Sequence, residues 1–190
     1  GVWAIDVSSA ELPSTLGSVR TSDESRGVAM YGSYVVSAHP YSGINIFDAS
    51  NPASPPVRNL VGDLGSPRAV TIAGDKAYLS SYGRLGIADL SSPGEPHLVG
   101  ELMTAGYVGD VAVSGDFAFM IDDSTGLFVV AVADPEQPEV VYHWDTQGHP
   151  RGLTREADYL YVTHVLGTNY SLEVFDVSYP ASPVHLGSGI

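Results

Sequence analysis

The 190-residue chain contains no cysteine. That excludes a disulfide framework and a thiolate metal site. Basic residues are scarce: Lys and Arg total 8 against 22 Asp and Glu, Lys76 is the sole lysine, and the formal net charge is −14. Nucleic acids and anionic membranes are held by a basic face, which this composition cannot supply. No run approaches the roughly 18 apolar residues of a membrane-spanning helix. No secretory leader stands in the sequence, and its first residue is Gly1 rather than Met, so a mature form or an excised part of a longer protein is expected. An acidic, lysine-poor surface serves solvation and would also suit a salty or extracellular setting.

What the chain does have is a repeat. Leu172-Glu-Val-Phe-Asp176 is an alternating apolar run, followed by a turn with Pro180 and Pro183 and a second run from Val184. The other copies are Val2–Asp6, Ile44–Asp48, Leu85–Asp89 and Phe128–Ala131. The fifth-position residues Asp6, Asp48, Asp89, Ala131 and Asp176 are spaced by 42, 41, 42 and 45. The turn recurs as Pro52/Pro55, Pro93/Pro96 and Pro135/Pro138, while in the first copy only Pro13 remains. A second signal, at Arg26-Gly-Val-Ala, Arg68-Ala-Val-Thr, Gly109-Asp-Val-Ala and Arg151-Gly-Leu-Thr, keeps spacings of 42, 41 and 42. Two independent signals with one period define a repeat array.

Period-2 alternation gives the content of each repeat. In residues 105–146, strands are expected at Asp110–Ser114, Phe117–Ile121, Leu127–Val132 and Val140–Trp144. Gly115-Asp116 reads as a tight hairpin and Asp122–Gly126 as a turn-rich loop. Four short strands in about 42 residues, without a helical pattern, predict one blade of a β-propeller. The whole chain then divides into a half blade (1–20) and four full four-stranded blades (21–63, 64–104, 105–146 and 147–190) in one all-β array, expected to be part of a larger ring. The half blade lacks its first two strands. They could precede Gly1, follow Ile190, or come from another chain.

Gly74-Asp-Lys-Ala-Tyr-Leu79, Gly115-Asp-Phe-Ala-Phe-Met120, Gly126-Leu-Phe-Val-Val-Ala131 and Phe175-Asp-Val-Ser-Tyr-Pro180 resemble the LVIVD-repeat family of bacterial and archaeal surface propellers. The resemblance implies a propeller, secreted or on the cell surface. It implies no activity, so no functional residue carries over. Ala131 departs from the pattern, as does the stretch His164 to Tyr170, expected as a long loop.

Candidate sites follow from residue types. The motif aspartates read as Asx-type turns, with a ring of carboxylates as the functional alternative. Arg26, Arg68 and Arg151 open the first, innermost strands, and His149 stands beside Arg151. Together they are the candidate anion-binding mouth of a central channel, against structural pairing with acidic neighbours. Asp122 and Asp123 lie in an oxygen-rich stretch and are weak calcium candidates, against an exposed turn. The six histidines show no metal-ligand spacing. His39 and His164 are expected in loops on one face. Residue types for Ser-His-Asp catalysis are present, but no Gly-x-Ser-x-Gly elbow is. Tyr41, Tyr82, Tyr107 and Tyr170 fall in or near loops, where a sugar- or protein-binding surface could form.

The reading is a non-catalytic scaffold or interaction module of a secreted or cell-surface protein. A protein or carbohydrate partner would bind at its loops or channel mouth, with no cofactor. The alternatives are a propeller hydrolase with central Ca²⁺ and a subunit that completes its ring by self-association.

Overall fold

A computed structural model describes residues 1–21, 23–53, 57–59, 66–146 and 148–189, with the backbone alone for 57–59. The turn proline Pro55, the expected boundary between 63 and 64, and the expected ends of the last unit, Gln147 and Ile190, lie outside the described residues. The described residues form sixteen strands and no helix. They are β1 (Val2–Asp6), β2 (Ser14–Val19), β3 (Gly27–Tyr31), β4 (Tyr34–His39), β5 (Gly43–Asp48), β6 (Val57–Asn59), β7 (Ala69–Ala73) and β8 (Lys76–Asp89). There follow β9 (His97–Ser114), β10 (Phe117–Asp122), β11 (Gly126–Ala131), β12 (Glu139–Trp144), β13 (His149–Glu156), β14 (Tyr159–Leu166), β15 (Asn169–Asp176) and β16 (Val184–Gly189).

Every ladder is antiparallel and joins consecutive strands, in sheets of two (β1–β2), four (β3–β6), six (β7–β12) and four (β13–β16) strands. The alternation therefore reads the last three strands of 105–146 to within a residue or so, but the first, expected at Asp110–Ser114, is the end of a strand that begins at His97, and the sheet divisions differ from the expected separate four-stranded units. Two long strands are responsible. A straight strand of 14 residues would be about 45 Å long. Yet Lys76 Nζ, at the start of β8, lies 3.0 Å from Asp89 Oδ2 at its end. β8 thus doubles back on itself, at Gly83 with its φ of +72°. β9 runs from the outer strand of one repeat into the inner strand of the next, pairing with β8 as far as Tyr82↔Tyr107 and with β10 from Val108↔Asp122 to Ser114↔Phe117. The two central repeats therefore share one sheet.

The first hairpin of each repeat turns on two residues. Gly32, Gly74 and Gly115 hold φ values of +56°, +58° and +55° there, and Ala157 takes the same turn at +50°. A side chain in this left-handed region costs roughly 1–2 kcal/mol, which glycine avoids. Ala157→Gly is expected to stabilise the chain by about 1 kcal/mol, read as a raised urea midpoint with an unchanged slope.

The middle strands of the central repeats are apolar on both sides because those sheets are packed between neighbours. In β11, Leu127 and Val129 join a core with Leu160, Val162 and Phe175 of the next repeat. Val130 on its other side, followed by Val132, joins a core with Tyr78, Leu85 and Ile87 of the preceding one. A third core unites Val36, Ile44 and Ile46 with Leu79 and Leu90. Each fully buried side chain of this size stabilises by about 1.5–3 kcal/mol. The first strands stand in a row, β3 beside β7, β7 beside β9 and β9 beside β13. Two polar bonds stitch the row: Thr71 Oγ1 donates to Val111 O at 2.8 Å, and Asp110 Oδ2 accepts from Leu153 N at 3.3 Å.

Two outer strands meet the next repeat through glycine. A Cβ on Gly17 would lie 2.2 Å from Pro52 O, and one on Gly100 only 1.9 Å from Pro135 O. The proline turn of one repeat thus sits directly on the bare backbone of its predecessor.

Candidate functional site

The motif aspartates are turn-formers. Asp6, Asp48, Asp89 and Asp176 each accept the backbone N–H two residues on, at 2.7–3.0 Å. Those bonds, from Ser8 and Ser178, hold the Asp6 and Asp176 carboxyls below the ordinary range. Asp89 is held down to about 2, by the Ser91 hydroxyl first and the Lys76 ammonium next. In the repeat that carries Ala131, Asp134 takes over by accepting Glu136 N at 3.0 Å. Carboxylates occupied in this way form no open ring.

The inner-strand starts present a different picture. Arg26, Arg68 and Arg151 are all exposed. The Arg68 guanidinium lies over the ring of Tyr107, 5.1 Å from its centroid. Burial pushes the Tyr107 phenol up, and the charges of Arg68 and Arg26 pull it the other way. Arg68 thus rests on a tyrosine contributed by the neighbouring repeat. Arg26 is paired with Glu24 two residues away, at 2.9 Å from Nε and 2.6 Å from Nη2. The acidic neighbour is local rather than on an adjacent repeat. Arg151 stands apart, lining a hollow with Thr163, His164, Tyr170 and Leu172 on the open face of the last sheet. His149 Nδ1 lies 2.8 Å from Asp123 O, and His143 Nε2 lies 2.6 Å from Thr125 O. The two imidazoles therefore clamp the 122–126 loop.

That loop does not fit calcium. The Asp122 carboxylate is fully buried. It accepts Gly106 N at 2.8 Å, Ser124 N at 2.9 Å, Thr125 N at 3.0 Å and Thr125 Oγ1 at 2.9 Å. Asp123 Oδ1 accepts Tyr107 N at 2.8 Å and Ser124 Oγ at 3.1 Å. The Asp122 oxygens and Asp123 Oδ1 are turned to N–H and O–H donors of their own loop, whereas calcium takes six to eight oxygen ligands. Among the described residues no group of three acidic or histidine side chains could hold a metal ion.

Two expected loop residues turn out to be buried. His39 is 0% and His164 7% exposed. The stretch expected as a long loop closes in a two-residue turn at Gly167, φ +62°, with Leu166 paired to Asn169. Both histidines belong to a series that sequence reasoning missed: His39, Ser81, Asp122 and His164 occupy one position near the end of each second strand, and all four are buried. Their spacings of 42, 41 and 42 match the period. A polar residue closing an apolar strand in every copy was the available signal.

The first of them has hydrolase-like neighbours. Ser37 Oγ lies 2.7 Å from His39 Nε2, which Asn45 Nδ2 also approaches at 3.2 Å. On the other side His39 Nδ1 lies 2.9 Å from Asp23 Oδ1, close but poorly aligned for a hydrogen bond. Ser37 is 0% exposed, so no substrate reaches its hydroxyl. The cluster is a tie. Asp23 also accepts Tyr41 N and Ser42 Oγ, both at 2.9 Å, and so fastens the segment before β3 to the β4–β5 turn. His164 has only a distant counterpart, with Nδ1 3.8 Å from Glu173 Oε1.

Such an array of antiparallel, two-sidedly packed sheets is a β-propeller-like repeat fold. Two computationally designed proteins of known crystal structure share it. Ika8 matches with a TM-score of 0.68 at 11% identity over 85% of this chain and 48% of its own length. Ika4 matches with a TM-score of 0.69 at 14% identity over 85% of this chain and 96% of its own. The chain thus spans about half of Ika8. No curated protein matches it. The LVIVD repeat model matches residues 24–62, 64–104 and 105–146, and the chain belongs to the LVIVD repeat family. No helix among the described residues is long and apolar enough to cross a membrane.

Proposed function

We propose that the chain is a non-catalytic display scaffold of a secreted or cell-surface protein, one that holds an anionic protein or carbohydrate partner at the mouth of its inner strands. The observation that carries this reading is the exposed Arg68 guanidinium stacked over Tyr107, with Arg26 within electrostatic reach of the same ring. A planar guanidinium fixed on an aromatic face keeps its outer N–H fork free for a carboxylate or sulfate. The chain carries a formal net charge of −14, so the Arg68 guanidinium is a local attractive point on a body that repels anions. Rigid, stacked sheets hold that point in place, as loops on a fixed scaffold do elsewhere. Against catalysis stand the burial of Ser37 and His39 and the four hydrogen bonds that the buried Asp122 carboxylate already accepts.

The test is calorimetric titration with an oligogalacturonate and with a sulfated oligosaccharide. Binding to at least one is expected, weakened about tenfold in Arg68→Gln and by added salt. Absence of binding to both, or equal affinity in Arg68→Gln, would discard the mouth as the site.

A further inference from the structure

Each internal repeat shows its neighbours two different faces. In β11, Leu127 and Val129 look toward the following repeat, and Val130 toward the preceding one. β15 keeps the second kind of face buried, through Phe175 and the following Val177. Its first kind is open, with Leu172 at 40% and, on the adjoining β16, Leu186 at 54% exposure. β1 has the reverse arrangement. Trp3, Ile5 and the following Val7, which hold the positions of Phe128, Val130 and Val132, are 65%, 55% and 70% exposed. The two open faces are therefore the two complementary halves of the interface that the array uses internally. A glycine seat repeats the message. Gly17 and Gly100 each carry the proline turn of the next repeat, whereas Gly187, at the same position of the last sheet, has nothing within 4 Å of the place of its Cβ. Ala10 stands in β1's own turn where Pro52 and Pro135 stand in theirs.

We infer that the open β13–β16 face takes the β1–β2 face of a second copy of this chain, head to tail. Trp3 and Ile5 then pack on Leu172 and Leu186, and the turn at Ala10 sits on Gly187. Such a contact joins unlike surfaces, so it closes a ring or continues as a filament.

The test is light scattering behind size exclusion on the 190-residue chain, with far-UV circular dichroism to check folding. The wild type is expected at a multiple of its 20.0 kDa. Trp3→Arg and Leu172→Arg are each expected at single-chain mass, since each buries an arginine in the contact. Mixed together they keep one intact face apiece, and a one-to-one complex should form. Leu186→Arg replaces Leu172→Arg if the latter does not fold. A wild type at single-chain mass throughout its accessible concentration range gives the face to another occupant and overturns the inference. So does self-association that survives either substitution, or a mixture that yields no complex, because both describe pairing of like faces or of a different surface.

Discussion

Asp122→Ala destabilises the chain by about 4 kcal/mol, the largest effect expected of any single polar substitution here. The carboxylate is fully buried and accepts three backbone N–H groups, from Gly106, Ser124 and Thr125, besides the Thr125 hydroxyl. Alanine leaves those donors in a space that water does not fill. Each unsatisfied buried donor costs roughly 1–3 kcal/mol, and partial relaxation of the 122–126 loop reduces the sum. Asp122→Asn keeps one acceptor oxygen, and about half the loss is expected. Urea unfolding of the three proteins at neutral pH measures both. A loss below about 1 kcal/mol for alanine would mean that the loop re-forms its bonds elsewhere. The effect should spread beyond the loop. His149 and His143 meet the carbonyls of Asp123 and Thr125, so loosening the loop frees the start of β13 as well. Native-state hydrogen exchange should therefore show lost protection at Gly106 and Tyr107 and near His149, while β3–β5 stays protected.

Much of this fold could be read along the sequence, because its signals are local. Phe117-Ala-Phe-Met-Ile121 is apolar throughout, as a strand packed on both faces requires, and the core takes its two sides in different directions. Asp6, Asp48, Asp89 and Asp176 act on residues two places on, so the turn was legible from the aspartate and its followers. Asp122 was not. Its partner Gly106 lies 16 residues earlier, and only the folded ladder brings the two together. The same holds for His39, whose ties reach Asp23 across the β3–β4 hairpin. In sequence, His39-Pro40-Tyr41 resembles a loop tip. In three dimensions His39 is the last residue of β4, covered by neighbouring strands and by the segment that carries Asp23. The fusion of the central repeats had no sequence signal either. It depends on β9, which runs unbroken from the outer strand of one repeat into the inner strand of the next. The arginine mouth was half legible. The strand starts announced Arg26 and Arg68, but the platform of Tyr107 beneath Arg68 belongs to another repeat.

Acid is expected to destabilise the chain progressively as the pH falls from about 5 to about 2, and the sign follows from the carboxylates just described. Burial alone would raise Asp122. The N–H groups of Ser124 and Gly106 and the hydroxyls of Thr125 and Thr104 outweigh it, and the carboxyl sits below its ordinary value. Asp23 follows the same course: burial opposes its charge, and Ser42, Tyr41 and His39 more than compensate. Asp89 is lowered to about 2. In the unfolded chain each returns to near 3.9. A group lowered by folding stabilises the native state fully above its unfolded value. That contribution is lost as the pH falls through the folded one. Stability should therefore be level from neutral pH to about 5 and fall steeply between about 5 and 2. A drop in melting temperature on the order of 10 °C is expected between about pH 6 and pH 2.5. Three buried or partly buried ties fail together in that window. Asp23 releases the β4–β5 turn, Asp89 releases Lys76 across β8, and Asp122 releases the loop held by His149. Thermal melts at stepped pH, run beside Asp122→Asn, separate the contributions. The variant starts lower at neutral pH and shows a shallower acid slope, because it has one fewer carboxylate to protonate. Equal slopes in the two proteins would assign the acid loss to the other aspartates and leave Asp122 a purely steric partner of its loop.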